Sequence, residues 1–174
     1  MIKGKAYFYL LLVTLLLVAA CNQEKQPCAQ PTIVSVKLGC YHLIADTNNV
    51  KIFGDTALPH PVLSVRDTAG VFIRYIYTQP PVNKFSINLS SVSDSTVWTI
   101  TPDTTLLSIL PPDTLVFHYL RQLTFISNSC GYSYNYNIRQ VNTTHNSIDS
   151  VIIVNASVTS NANVEHLKIY IHHL

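Results

Sequence analysis

Beyond Thr32 the apolar residues recur at every second position: Val34, Val36, Leu38 and Cys40 alternate with Ser35, Lys37 and Gly39. A period of two puts one set on each face of a half-buried strand. Similar runs, rich in β-branched and aromatic residues, occupy Pro61–Arg66, Val71–Tyr77, Lys84–Leu89, Thr96–Thr101 and Leu106–Leu110. Leu115–Ile126, Tyr132–Val141, Ser150–Val158 and His166–His172 complete the series. No window of helical length shows apolar recurrence at i, i+3, i+4 and i+7. Roughly ten strands punctuated about every ten residues predict an all-β chain, a single antiparallel β-sandwich. The layout expected is immunoglobulin-like. The immunoglobulin signature itself is missing, because Trp98 follows Cys40 by 58 residues, too far for neighbouring strands.

The first residues follow a different pattern. Lys3 and Lys5 precede an uncharged apolar stretch, Ala6 to Ala20, which ends in Val18-Ala19-Ala20-Cys21. At 15 residues the stretch is short for a bilayer span but suits a secretory signal. The four residues that close it have the form of a bacterial lipobox, in which the cysteine receives the lipid. The expectation is a signal peptide over 1–20, a lipidated tether over 21–31 and a β-sandwich over 32–174. Attachment would be to a membrane through lipid on Cys21, in the cell envelope, most simply on the outer membrane facing the periplasm or the surface. Residues 22–31 (NQEKQPCAQP) are polar and bounded by proline, as a short tether should be.

Charge changes with that processing. The chain has 11 Lys and Arg against 9 Asp and Glu; losing Lys3 and Lys5 leaves 9 against 9. A neutral domain with scattered cations lacks the electrostatic footprint of a nucleic-acid binder, so no nucleic acid is expected as a partner.

All seven aspartates precede a hydroxyl residue: Asp46-Thr47, Asp55-Thr56, Asp67-Thr68, Asp94-Ser95, Asp103-Thr104, Asp113-Thr114 and Asp149-Ser150. Both side chains of such a pair can bond the backbone locally, so they close turns and launch strands. The triplets beginning at six of them also resemble an acceptor motif for protein O-glycosylation in one phylum of Gram-negative bacteria. That resemblance implies Thr56, Thr68, Ser95, Thr104, Thr114 and Ser150 as acceptors.

With Cys21 committed to lipid, Cys28, Cys40 and Cys130 remain for an oxidising compartment. A strand between Cys28 and Cys40 would hold them tens of ångströms apart, at ~3.3 Å per residue. Cys40 shares its face with Val36 and Leu38, as a core thiol would. Two bridges stay open, Cys28–Cys130 first and Cys40–Cys130 second.

The lipobox, Cys28 before Pro31-Thr32, the run from Phe125 to Tyr132 (FISNSCGY) and the closing His166-Leu167-Lys168-Ile169-Tyr170 resemble a family of bacterial lipoproteins of unknown function. Gly39-Cys40 departs from the bulkier apolar or aromatic pair that the resemblance leads one to expect. It implies an architecture and an address, but no reaction.

Candidate chemistry is sparse. His166, His172 and His173 gather near the C-terminus, yet a strand sets the first two ~20 Å apart, beyond any shared metal. No zinc, calcium, phosphate-loop or nucleophile-elbow spacing occurs, so no catalytic residue, cofactor or metal is expected. A hydrolase would need His118 or His166 beside a Ser or Asp. Tyr132, Tyr134 and Tyr136 alternate with Ser133 and Asn135, placing three rings on one face. Such a stripe either packs across strands in a core or offers stacking surface to a glycan or a partner. The function expected is that of a protein-interaction or structural module, with glycan binding as the alternative.

Overall fold

The computed structural model describes residues 27–29, 32–47, 50–66, 72–76, 82–104, 111–160 and 164–172. The signal, Cys21, Thr68 and the strand expected over 106–110 lie outside them. Every element among the described residues is a strand: β1 Ser35–Thr47, β2 Val50–Asp55, β3 Val62–Arg66, β4 Phe72–Ile76, β5 Lys84–Asn88 and β6 Ser95–Thr101. The remaining five are β7 Asp113–Ser127, β8 Gly131–Thr143, β9 Ile148–Ile153, β10 Ser157–Val158 and β11 Leu167–Ile171. The sequence reading missed β2, whose residues are exposed on both faces near its turn and so show no inward set.

The strands form two sheets packed as a sandwich. In the first, β1 lies between β11, which it pairs in parallel, and an edge shared by β5 and β2; β9 extends the sheet beyond β11. The second sheet runs β10-β8-β7-β6-β3-β4 and is antiparallel. Val36, Leu38, Cys40, Leu167, Ile169 and Ile171 face Leu63, Trp98, Ile100, Leu115, Phe117 and Ile138 across the core. These are the positions that the two-residue period selects. Trp98 sets its indole N–H on the Asn88 carbonyl at 3.1 Å, so the ring is buried without an orphaned donor.

The six described Asp-Ser/Thr pairs lie within two residues of a strand end, but their carboxylates bond differently from the expected local turns. Asp55, Asp94, Asp113 and Asp149 reach partners 23 to 35 positions away. Local turn bonds come from Ser90, whose hydroxyl accepts from the backbone of Val92 and Ser93, and from Ser93 and Asn155. Gly39 is small for a physical reason: a β-carbon there would lie 2.1 Å from the Glu165 carboxylate. Tyr41 donates to that carboxylate, and burial together with this contact pushes its phenol up to about 12.

Candidate functional site

The site grows out of the β7–β8 hairpin, the longest pairing among the described strands. In its first half, Leu115, Phe117 and Tyr119 alternate inward beneath the opposing sheet. A register shift after His118 pairs Tyr119 with Ile138 and Arg121 with Tyr136. The segment 89–94 closes the core at this level. The Tyr119 hydroxyl bonds Thr96 and both backbone groups of Ser90, and the Tyr136 hydroxyl approaches the Leu89 carbonyl. Arg121 then clamps the segment from outside, donating to Asp94 at 2.7 Å and to the Ser91 carbonyl at 2.6 Å. Burial raises both phenols, Tyr119 and Tyr136.

Past this lid the hairpin continues with no strand opposite it among the described residues. Leu123 pairs with Tyr134 and Phe125 with Tyr132, still on the face that looks into the core lower down. Here that face meets solvent: Leu123 is 56 %, Phe125 53 % and Tyr132 64 % exposed. The tyrosine stripe is therefore divided. Tyr136 is 7 % exposed and packs edge-on against Tyr119, Tyr134 is half-buried beside Arg121, and Tyr132 stands out. A three-ring platform is not formed, because parity sets the face while the length of the opposing sheet sets the burial. Tyr132 instead meets Phe125 at 64° between ring planes, an edge contact and not a flat stacking surface.

The N-terminal segment is fastened to the same hairpin. Cys28 is bonded to Cys130, with α-carbons 4.8 Å apart, and the buried Ser133 hydroxyl donates to the Thr32 carbonyl. Gly131 follows at φ 70°, a left-handed turn conformation that glycine adopts without strain. Cys40 is the free thiol among the described cysteines; burial pushes it up to about 12, which leaves it inert.

At the opposite pole the chemistry is ionic. Asp113 is fully buried at the start of β7 and accepts from the Thr144 and Ser147 hydroxyls and from the backbone of Asn146, Ser147 and Ile148. Burial alone would raise its carboxyl; these donors outweigh it and hold the group below its ordinary value. The β1–β2 turn projects here with Leu43, Ile44, Val50, Ile52 and Phe53 exposed among Asp46, Lys51 and Asp55.

The histidines do not assemble a reaction centre among the described residues. His118 is exposed. His166 is buried and accepts the Lys37 N–H on Nδ1. Burial and the nearby Lys37 charge lower it, against a weaker upward pull from the Ser157 backbone. His172 bonds Asp149 at 3.2 Å near the surface. An open groove of about 850 Å³ beside β3 and β6 is lined by Ser64, Ser90 and Thr99 with Arg66, and among the described residues no carboxylate or imidazole lines it. Of the glycosylation candidates, Ser95, Thr104 and Ser150 are exposed; Thr56 and Thr114 are half-buried, and Thr56 contacts His42. Asp113, Arg121, Leu123 and Phe125 escaped the sequence reading. The signal available for the last two was the charge-free run 122–138, 17 residues without Asp, Glu, Lys, Arg or His.

Fold and site define a two-sheet β-sandwich whose N-terminal segment is bound covalently to a projecting hairpin. The chain belongs to a family of unknown function (DUF6452), whose model matches residues 71–171, more than half of it. No curated protein and no solved structure matches the chain.

Proposed function

We propose that this is a lipid-anchored cell-envelope protein that works by binding, as an interaction or structural module, and not by catalysis. The observation that carries the address is Val18-Ala19-Ala20-Cys21 at the end of the apolar run behind Lys3 and Lys5. Support for a binding role comes from the β1–β2 turn, where five large apolar side chains are exposed at the pole opposite the bonded tether. Apolar clusters rimmed by charge, here Asp46, Lys51 and Asp55, suit a protein partner. O-glycosylation belongs to the same reading, and among the described candidates Ser95, Thr104 and Ser150 are the accessible acceptors.

The experiment has two arms. The intact mass of native protein is expected to show a chain beginning at a triacylated Cys21, with Cys21→Ala releasing it from the membrane; an unprocessed first methionine defeats the address. A photo-crosslinker at Ile52 in intact cells is expected to capture one envelope protein, and Ile44→Ser to abolish the adduct. Absence of any adduct defeats the binding role.

A further inference from the structure

We propose that the tip of the β7–β8 hairpin lies on the lipid surface that holds Cys21, with Leu123, Phe125 and Tyr132 seated among the headgroups. This rests on the lipid-anchored reading above. Three independent observations meet at the tip. First, the three side chains share a face that no other part of the described chain covers. Aromatic and aliphatic groups of this kind favour the headgroup–acyl boundary, entering it by ~5–10 Å.

Second, residues 122–138 contain no Asp, Glu, Lys, Arg or His. Insertion of the tip therefore desolvates no formal charge. The first cation behind it on β7, Arg121, is already paired with Asp94 at the level of the lid. The β1–β2 turn has comparable apolar exposure but interleaves Asp46, Lys51 and Asp55, each of which would resist entry.

Third, covalent geometry fixes which pole faces the leaflet. Cys28 is bonded to Cys130 at the hairpin turn, so six residues, 22–27, separate the acylated cysteine from the bonded one, and the seven Cα-to-Cα steps between them set the reach. Fully extended they span at most ~25 Å. The effective concentration of the tip at the surface is then high, and weak apolar contacts suffice to hold it down.

Docking is tested with the chain beginning at Cys21, coupled through that thiol to a maleimide-headgroup lipid in phosphatidylethanolamine/phosphatidylglycerol vesicles. Coupling supplies the anchor whether or not a cell acylates the sulfur, so this result and the native mass stand or fall separately. The buried, high-pKa Cys40 does not compete. Trp98, the one tryptophan, is buried and serves as an internal reference. Tyr132→Trp adds an indole at the tip and Ile52→Trp one at the far pole; unchanged melting verifies both folds. Bromine near the top of the acyl chains is expected to quench the Tyr132→Trp signal and to spare Ile52→Trp. Adding Leu123→Ser and Phe125→Ser lowers the docked fraction about tenfold or more. Equal quenching at both poles, or none at either, overturns the proposal. So does a blue shift of the Tyr132→Trp indole that grows with surface density but ignores bromine, since that means a second copy covers the tip. Protection of the tip by added envelope polysaccharide, without quenching, likewise overturns it in favour of a glycan.

Discussion

The two poles of the sandwich are closed by opposite means. At the tether pole one covalent bond, Cys28–Cys130, closes a loop spanning 102 positions, joined by the hydroxyls of Ser133, Tyr119 and Tyr136 and by the exposed Arg121–Asp94 pair. At the far pole a single buried carboxylate, Asp113, gathers five donors from Thr144 to Ile148. Reductant opens the first closure, whereas the second has no disulfide and depends on a carboxylate that must stay ionised. A charge-free tip with a covalent fastening suits the proposed lipid contact, whereas the far pole carries a buried anion and, with it, Asp46, Lys51 and Asp55.

The largest effect separates them by redox state. Cys130→Ser, or reduction of the native bond, is expected to cost about 4–5 kcal/mol in the chain-entropy account of so long a loop. Denaturant unfolding measures the loss, and hydrogen exchange locates it: amides of 131–135 should exchange faster while those of 146–148 keep their protection. Equal loosening at both poles would mean that the molecule has one closure and not two.

Next comes the carboxylate. Asp113→Asn replaces an acceptor with an amide that must turn a donor toward hydroxyl and N–H groups already donating. The expected cost is about 3 kcal/mol, as for a broken buried charged network. Exchange should now rise at 146–148 and stay slow along 131–135. The wild-type bridge must remain intact in this variant, which non-reducing mass analysis checks.

Acid sharpens the contrast. Among the described residues two groups have folded-state values below their ordinary ones, His166 below 6.5 and Asp113 below 3.8. In each case the unfolded chain binds the proton first, so stability is complete above the ordinary value and falls as pH drops toward the folded one. Loss should therefore begin below about pH 6.5 from His166 and resume below about pH 3.8 from Asp113. Chemical denaturation across pH 3–8 follows both, with the bridge intact throughout. His166→Gln keeps an acceptor for the Lys37 N–H and should remove the upper step alone.

How far the sequence reveals each pole follows from the kind of interaction. The strands β5, β6 and β11, and β1 as far as Cys40, could be read from alternation because there one face is buried. The bridge left its trace in cysteine number and in the face shared by Cys40 with Val36 and Leu38. Asp113 left none: it is one of seven aspartates before a hydroxyl residue, and its special burial depends on a turn 31 to 35 positions later. The tyrosine stripe was legible in direction and illegible in depth, since a period of two says nothing about where the facing sheet stops. The β1–β2 turn failed for a related reason, having no inward face to alternate with.

The smallest effect concerns Gly39, the residue that departs from the bulkier pair suggested by resemblance. Its backbone sits in a strand and needs no special conformation; the constraint is space. An added β-carbon would meet the Glu165 carboxylate at 2.1 Å and the Tyr41 ring at 2.9 Å. The carboxylate ends a flexible side chain and can swing away, so Gly39→Ala should cost only about 1 kcal/mol, the worth of the hydrogen bond that Tyr41 then loses. A strand alanine also recovers some of the backbone entropy that glycine forfeits, which trims the loss further. The readout that separates displacement from general loosening is the Tyr41 phenol. Freed from Glu165, it should ionise at lower pH than its present value of about 12. Ultraviolet titration of Gly39→Ala against the parent checks this, and melting that falls with no phenol shift would place the strain in the backbone of β1 instead.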